Sequence, residues 1–348
     1  DDGIRTQDAT KLSLNDMFET YISTKHKLKE STLANYMYLW KKYISGTELA
    51  QKPIGNVKKS DIQKFYSHLM NNGFASNSLE SINNLIHPTL EMAVDDDLIR
   101  KNPSKGVYRS LKEDDAKVRI ALTVPQQRAF LNYIRNSRTY NHWNAVFVTL
   151  LGTGLRVGEC VGLTKSDILL DQKIISVNHS LIYRQIDGKC QFRVTTPKTK
   201  NSIRLVPMFP EVEECLRTHI EVVDELYLTP CPTIQGHTDF IFRNRDGALL
   251  NPHCLNRAIE RICRDYNVEE EKLAQEEDRE PLILPHFSVH NLRHTFCTRL
   301  FEVEKDFKFI QQMMGHAEIS TTLDIYTHVT QEQMITSVQS LSKDFTIF

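Results

Sequence analysis

Residues 290–295 read His-Asn-Leu-Arg-His-Thr, and in a helix this order places His290 and Arg293 on one face while Leu292 points toward a core. An imidazole and a guanidinium on one face can contact a single anion such as a phosphate. A metal site fits less well, because arginine repels a cation and no third ligand is evident. His294 lies off this face, so it is predicted to be structural.

A second motif follows toward the C-terminus. Residues 314–326 read MGHAEISTTLDIY, in which Gly315 is predicted to end a helix and His316 to lie in the turn after it. Ser320 can cap the next helix, and Tyr326 lies on that helix. A lone tyrosine at helical spacing is usually a core or rim residue, so its role stays open on the residues alone.

Two upstream stretches also present cations. Residues 151–159 (LGTGLRVGE) break an apolar helix with glycines and begin another at Arg156, with Glu159 on the same face. The carboxylate can hold the guanidinium toward a ligand, or the two form an ordinary surface ion pair. Because the glycines lack the lysine of a P-loop, a nucleotide site is not favoured. Residues 196–204 (TPKTKNSIR) predict a hairpin tip that presents Lys198, or simply a solvated basic turn.

Composition excludes several classes of protein. The chain has 348 residues, which suggests about two domains, and its 40% hydrophobic and 25% charged residues rule out wholesale disorder. No apolar stretch is long enough to span a membrane, and the N-terminus has no export signal. The seven cysteines show no disulfide or zinc spacing, which favours a reducing cytoplasm. With a net charge of −1, any contact with nucleic acid must come from local basic patches.

The first third of the chain reads as short amphipathic helices. Apolar stripes follow the predicted N-caps Ser13, Ser31 and Ser60, and a fourth stripe covers residues 79–93. Basic residues lie off these stripes, where an ordinary solvated face is the plain interpretation. Residues 102–117 lose the apolar periodicity and are predicted to be an interdomain linker.

The rest of the chain mixes helices and strands. A helix is predicted after Thr123, and Asp187-Gly188 is predicted as the turn of a β-hairpin. Further strands and helices are predicted at residues 146–151 (helix), 174–177, 181–186, 192–195 and 203–206 (strands), and 212–226 and 251–263 (helices). The acidic stretch 269–280 is predicted to be an exposed insertion, and three helical segments follow it.

Taken in chain order, these motifs resemble the catalytic motifs of tyrosine recombinases, the phage integrase family. Their amino-acid sequences are most like those of conjugative-transposon integrases. The matching positions are Arg156, Lys198, His290, Arg293, His316 and Tyr326. The resemblance covers about residues 12–330, and the whole set is far more specific than any one motif.

The resemblance implies a role for each residue. Arg156 and Arg293 clamp the non-bridging oxygens of a phosphodiester, and His316 and His290 add hydrogen bonds. Tyr326 is the nucleophile, with His290 as its proton acceptor, and Lys198 protonates the departing 5′ oxygen. Glu159 orients its neighbours. Because a phosphodiester is already negative, several fixed cations are needed when no metal takes part, and the expected reaction uses no metal, ATP or cofactor.

The resemblance also implies the architecture, which is mainly α with a small antiparallel β-sheet. A helical core-binding domain and a mixed α/β catalytic domain form a C-shaped clamp on DNA. The expected divisions are an N-terminal remnant or linker (1–11), the core-binding domain (12–102), an interdomain linker (103–118), the catalytic domain (119–330) and a tail (331–348). An arm-site domain upstream of residue 1 is typical of such proteins. The lysines expected to contact DNA are Lys41, Lys42, Lys58 and Lys59.

The expected partners follow from the same family. They are double-stranded DNA at element ends and target sites, and three further copies of the chain in a homo-tetramer that exchanges C-terminal tails. Packing of the tail on its own domain is the alternative. Accessory DNA-bending or excision factors are expected, no membrane is involved, and the setting is the bacterial cytoplasm at the nucleoid.

Two rival functions remain. A type IB topoisomerase uses the same chemistry but reseals the same strand as a monomer, whereas recombination needs a synaptic tetramer. A regulator that only binds DNA would be expected to lose charged active-site positions, and all six are present here.

Overall fold

The computed structural model describes residues 6–111, 121–186, 189–196, 203–226, 230–244, 246–304 and 306–316. The chain divides into two compact units, Asp1–Lys117 and Val118–Phe348. Each unit has a hydrophobic core of its own. In the described part of the chain, none of the helices has the length and apolar character needed to cross a membrane.

The regular elements of the first unit are helices, as far as the structure describes it. Its helices are α1 (Thr6–Ala9), α2 (Leu14–Ser23), α3 (Glu30–Leu39), α4 (Glu48–Gln51), α5 (Lys59–Asn71), α6 (Ser76–Asp95) and α7 (Val107–Leu111). A π-helical turn, Trp40–Ile44, continues α3. The predicted cap of α2 is confirmed, because the Ser13 hydroxyl accepts from the Asp16 N–H at 3.2 Å and the Asp16 carboxylate accepts from the Ser13 N–H at 2.8 Å.

Two predicted helix caps are wrong. Helix α3 begins one residue before Ser31, with Lys29 at its N-cap. Helix α5 follows Lys58, whose N–H donates to the Asp61 carboxylate at 2.8 Å, so Asp61 satisfies the helix start that Ser60 was expected to cap. A carboxylate in the first turn also interacts favourably with the positive end of the helix dipole.

Two stretches expected to be linkers pack on the helical unit. Ala9 is buried against Gly55, and Val107 on α7 is fully buried. Ser104 is also buried, and its hydroxyl lies 2.6 Å from Nδ1 of His87. Small and apolar side chains within these mostly polar stretches thus attach residues 6–11 and 103–111 to the helical unit. Residues 112–120 of the expected linker lie outside the described residues.

The second unit combines helices with two small antiparallel sheets. Its helices are α8 (Val124–Asn136), α9 (Asn144–Thr153), α10 (Val157–Val161), α11 (Pro210–Leu226), α12 (Cys254–Glu276), α13 (Val289–Val303) and α14 (Phe307–Met314). Its strands are β1 (Ile168–Leu169), β2 (Ile174–Val177), β3 (Ser180–Ile186), β4 (Lys189–Thr195) and β5 (Arg204–Pro207). One sheet has the order β1-β2-β5, and β3 pairs with β4 in the other.

The strand pairing confirms one predicted hairpin and corrects another. Strands β3 and β4 pair with Ile186 opposite Lys189, on either side of the predicted turn Asp187-Gly188, which itself lies outside the described residues. The strands flanking residues 197–202 do not pair with each other in the described register, because β4 pairs with β3 and β5 pairs with β2. The described strands on either side of residues 197–202 therefore belong to different sheets, and Lys198 itself lies outside the described residues.

The acidic stretch 269–280 is mostly exposed, as predicted, but it does not stand apart from the fold. Helix α12 continues through its first part, and Glu270 is buried. The Glu270 carboxylate accepts from Arg279 Nη1 at 2.5 Å and from the Leu282 N–H at 2.9 Å. The predicted exposure is wrong at Glu270, because one ion pair and one hydrogen bond in a turn bury a carboxylate that the charge pattern places in solvent.

Helix α9 lies at the centre of this unit and packs against α8, α10, α11 and α13. Its side chains are apolar on nearly all sides, as expected for a helix surrounded by protein. Gly152 lets α11 approach closely, since an added Cβ would lie 2.3 Å from Cγ2 of Val212. The C-terminal end of α9 is thereby fixed inside the unit, where the candidate site is built.

Candidate active site

Helices α9 and α14 each end at a glycine whose backbone is in the left-handed region, and the predicted site residues lie around these two helix ends. Gly154 follows α9 with a φ of 63°, and Gly315 follows α14 with a φ of 62°. A Cβ on Gly154 would lie 2.4 Å from Cδ1 of Phe296, and one on Gly315 would lie 2.9 Å from Nη1 of Arg204. Glycine is therefore required at both ends. The carbonyl groups there carry the negative end of each helix dipole and attract cations.

Arg293 is the most deeply buried cation of the site. Its Nη1 donates to the Gly154 carbonyl and its Nη2 to the Met314 carbonyl, both at 2.5 Å. Helix α13 holds it there, because Ser288 caps the helix and its N–H donates to Asn291 at 2.9 Å. Burial, followed by the charge of Arg156, lowers the pKa of Arg293 to about 9. The guanidinium is still protonated at neutral pH.

Arg156 lies at the N-cap of α10 and is the exposed cation of the site. Its Nη1 donates to Glu159 Oε1 at 2.8 Å, and its Nη2 donates to the Gly315 carbonyl at 3.0 Å. The side chain remains 42% exposed, so this guanidinium can contact a ligand from solvent. The prediction that Glu159 holds Arg156 is met by this contact.

Glu159 is buried and accepts hydrogen bonds from two arginines. Its Oε2 accepts from the Arg156 N–H and from Nη2 of Arg204, each at 2.9 Å, and its Oε1 also accepts from Arg204 Nη1 at 3.3 Å. Burial alone would raise the pKa of Glu159. The hydrogen bonds and charge of Arg204, together with Arg156, more than offset burial and hold that pKa below its ordinary value. Glu159 is thus a carboxylate at neutral pH.

His316 directly follows Gly315 and is buried. The backbone N–H of His316 donates to the Gln311 carbonyl at 3.2 Å, and Gln311 Nε2 donates to the His316 carbonyl at 3.1 Å. These two hydrogen bonds fix the turn. Burial lowers the pKa of His316 to about 3, with Arg293 and Arg156 adding to the effect. The imidazole is therefore neutral at pH 7 and can donate one hydrogen bond without adding charge.

His290 lies one turn before Arg293 on α13 and is exposed. Its ring meets the ring of His294 edge to face, with 4.5 Å between centroids. His294 is buried, in keeping with its predicted structural role. The helix thus presents one histidine to solvent and one to the core.

The structure brings together four of the residues predicted for the site, namely Arg156, Glu159, Arg293 and His316. Three of them are joined through the carbonyls or the carboxylate described above, and His316 is the next residue after Gly315. Lys198 and Tyr326 lie outside the described residues. Among the described residues, no group of three or more histidine, cysteine and acidic side chains could hold a metal ion.

Arg204 is the residue that sequence reasoning missed. It begins β5, is 9% exposed, and donates from Nε to the Met313 carbonyl at 2.9 Å as well as to Glu159. The sequence pattern did not point to it, because the apolar Ile203 and Leu205 are exposed while Arg204 shares the inward face of β5 with Val206. An arginine on the inward face of a half-buried strand needs a buried acceptor.

The four lysines predicted to contact DNA lie in the helical unit, and all are exposed. Lys41 and Lys42 lie on the π-helical turn, where Lys42 Nζ is 2.9 Å from the Tyr38 hydroxyl. Lys58 and Lys59 lie at the start of α5. These positions leave the ammonium groups accessible to a phosphate backbone.

Residues 121–333 match the model of the phage integrase family. The chain belongs to the phage integrase family. This match covers more than half of the chain and includes every predicted catalytic position. The protein is a tyrosine recombinase, an enzyme of site-specific DNA recombination, and the resemblance inferred from the motifs is confirmed.

Relatives place the chain near the integrases of conjugative transposons. It is 28% identical over 334 residues to the transposase of transposon Tn916 from Enterococcus faecalis, covering 96% of this chain and 78% of that protein. It is 26% identical over 302 residues to the ICEBs1 integrase of Bacillus subtilis, covering 86% of this chain and 74% of that protein.

A solved structure agrees with both units. The Tn1549 transposon integrase in complex with transposon right end DNA matches with a TM-score of 0.81 and 26% identity, covering 95% of this chain and 100% of that one. The expected fold class, mainly α with small antiparallel sheets, is confirmed.

Proposed function

We propose that this chain cleaves and rejoins DNA at the ends of a mobile element by holding one phosphodiester between Arg156 and Arg293. One observation carries the proposal. Both guanidinium groups are anchored on the carbonyls of the same turn, Met314 and Gly315, immediately before His316. Arginines fixed in this way form a cation site before DNA arrives, and such preorganised charge is the main source of stabilisation in phosphoryl chemistry.

The charge of the site suits the transition state. Three arginines and one carboxylate, all ionised at neutral pH, leave a net charge of about +2 around the turn. A phosphodiester carries one negative charge, and more negative charge develops on its non-bridging oxygens as a nucleophile attacks. The site therefore favours the transition state over the bound substrate.

Tyr326 is the proposed nucleophile. Its phenolic oxygen bonds to phosphorus, the bond to the 5′ oxygen breaks, and the DNA is left with a 3′-phosphotyrosyl link and a 5′ hydroxyl. His290 accepts the phenolic proton, Lys198 supplies a proton to the departing 5′ oxygen, and His316 donates a hydrogen bond to the phosphate. A 5′ hydroxyl from another strand reverses the step, so ligation requires no ATP.

We further propose that the two units divide the work on DNA. The helical unit acts as the core-binding domain, with Lys41, Lys42, Lys58 and Lys59 on the phosphate backbone, and the second unit carries the chemistry. The supporting facts are the separate cores of the two units and the exposure of the four lysines.

The working assembly is a homo-tetramer on double-stranded DNA at element ends and target sites. In this proposal C-terminal tails from residue 331 onward, which lie outside the described residues, are exchanged between protomers, and accessory factors bend the DNA. The reaction takes place in the bacterial cytoplasm, at the nucleoid. These proposals rest on the family to which the chain belongs.

A strand-exchange assay separates recombination from topoisomerase activity. Two linear duplexes that carry the element ends, one of them labelled, are incubated with the protein, and supercoiled plasmid is tested in parallel. Labelled recombinant product together with a tetrameric complex supports the proposal. Efficient plasmid relaxation by monomers without recombinant product would assign the topoisomerase function instead.

The role of Lys198 has its own test. A substrate with sulfur in place of the 5′ bridging oxygen releases a thiolate, which needs no proton to depart. Lys198→Ala should cleave normal DNA slowly and the sulfur substrate at nearly the wild-type rate. Equal defects on both substrates would remove Lys198 from the proton-donor role.

A further inference from the structure

We propose that Arg204 is a positioning residue of the recombination reaction, which compensates the charge of Glu159 and so leaves the positive charge of Arg156 available to the DNA phosphate. The proposal rests on the function proposed above. It assigns a task to the last residue of the stretch 196–204, which the sequence analysis quoted for Lys198 without giving Arg204 a role.

The contacts of Arg204 join three elements at the site. Its guanidinium reaches the Glu159 carboxylate on α10 with both terminal nitrogens, at 2.9 Å and 3.3 Å. Its Nε donates to the Met313 carbonyl at the end of α14, at 2.9 Å. The same side chain packs on Gly315, where an added Cβ would lie 3.0 Å from its Cζ. A single planar group thus sets α10 and the Gly315 turn relative to β5.

The charge of Glu159 has to be compensated by more than one arginine. A carboxylate that paired with Arg156 alone would form a neutral pair and cancel the cation that faces solvent. Because Arg204 shares the same carboxylate and is itself only 6% exposed at its side chain, the three groups together keep one positive charge. That charge resides at the exposed end of the cluster, on Arg156, where the side chain is 42% exposed.

Arg204 does not need to contact DNA for this role. It lies behind Glu159, which in turn holds Arg156 by the side chain and by the backbone N–H. Its removal is therefore expected to slow cleavage by leaving Glu159 uncompensated, with little change in DNA affinity.

The test measures single-turnover formation of the covalent protein–DNA adduct by the full chain on a nicked duplex that carries the element ends. Arg204→Met is expected to slow adduct formation by about 100-fold, the usual cost of removing a preorganised charge contact. Glu159→Gln in the same protein removes the uncompensated negative charge, so the double variant should form adduct at least about tenfold faster than Arg204→Met. A purely structural role predicts that the double variant is as slow as the single one or slower.

Arg204→Lys keeps the test valid if Arg204→Met does not fold. Lysine retains the charge but lacks the planar fork, so Glu159→Gln should not accelerate this variant. Acceleration of Arg204→Lys by Glu159→Gln, or no acceleration of a folded Arg204→Met, overturns the proposal. Adduct formation by Arg204→Met within about threefold of wild type also overturns it.

Arg279→Met provides the matched control. Arg279 also binds a buried carboxylate with two nitrogens, that of Glu270, but is not part of the site. The variant Arg279→Met should lower the thermal midpoint of unfolding without slowing adduct formation. If it slowed adduct formation as much as Arg204→Met does, the proposal would be contradicted. Failure of the wild-type chain to form any adduct would instead count against the proposed function itself.

Discussion

Arg156 makes two directed contacts that an ammonium group cannot reproduce, with Glu159 on one side and the Gly315 carbonyl on the other. We expect Arg156→Lys to bind DNA with unchanged affinity but to cleave about 100- to 1,000-fold more slowly, because a point charge cannot make both contacts and face the phosphate. The rate of adduct formation at saturating protein measures this.

The control for this substitution is Arg217→Lys. Arg217, whose side chain is 49% exposed, pairs with Glu213 four residues earlier at 2.9 Å, and its exchange for lysine should have no effect on cleavage. Equal cleavage rates for wild type and Arg156→Lys would show that Arg156 does not clamp the phosphate.

His316 links the stability of the fold to pH. Its pKa is about 3 in the folded protein, against 6.5 for an exposed histidine, so below pH 6.5 the unfolded chain takes up a proton that the folded chain does not. The stability from neutral His316 is fully present above pH 6.5 and is lost as pH falls toward 3, by up to about 1.4 kcal/mol per pH unit.

The comparison of wild type with His316→Gln isolates this effect. Between pH 6 and 4.5 the free energy of unfolding of wild type should fall more steeply than that of the variant, as measured by urea denaturation. Burial also lowers the pKa of other histidines such as His179, but these residues are present in both proteins. Their contributions to the pH dependence therefore cancel in the comparison. Parallel curves would mean that His316 is protonated in the fold at these pH values.

Among the elements of the fold, the turn after α14 depends on Gly315. Gly315→Ala should lower the free energy of unfolding by about 1–2 kcal/mol because of the left-handed backbone. It should also slow cleavage, because the new Cβ would displace the Arg204 guanidinium. Gly236→Ala incurs a similar backbone cost at a φ of 85° with no atom within 4 Å of the new Cβ, so it should lower stability and leave cleavage unchanged.

Thermal or urea unfolding and adduct formation, measured on both glycine variants, check this prediction. If the two variants cleave DNA at the same rate, the close packing of Arg204 on the turn has no part in the reaction.

Local pattern predicted most elements but not how they pair. The cap of α2, the helix after Thr123 and the β3–β4 hairpin all follow from signals within a few residues of each other. The pairing of β5 with β2 does not, because strand pairing depends on contacts between segments distant in sequence. The burial of Glu270 on α12 was missed because a charge pattern does not show that an arginine nine residues later, and a turn beyond it, fold back onto the carboxylate.

The site shows the same limit. Arg156, Glu159, Arg293 and His316 each stand in a short recognisable motif, and the structure places them around one turn. Arg204 ends the stretch 196–204 but was not among the predicted site residues, and its task becomes visible only when β5 brings it to Glu159, 45 residues earlier in the chain.

For the molecule as a whole, DNA binding has to come from local charge, since the net charge is only −1. The observed affinity should fall steeply with salt, and Lys41→Gln should reduce the slope of log K against log salt by about 0.9, because one phosphate is no longer neutralised. Lys11→Gln, at another exposed lysine of the same unit, should leave the slope unchanged. Identical slopes for wild type and both variants would show that Lys41 does not contact DNA.

Cleavage of DNA through Tyr326, at a phosphate held by the arginine cluster, is the reaction on which every proposal above depends. The most direct measurement incubates wild type and Tyr326→Phe with nicked duplexes carrying the element ends, in EDTA, and looks for an adduct that survives SDS. We expect an adduct with wild type and none with Tyr326→Phe, although both bind the DNA. An adduct with both proteins, or with neither while DNA binding is intact, would contradict this mechanism.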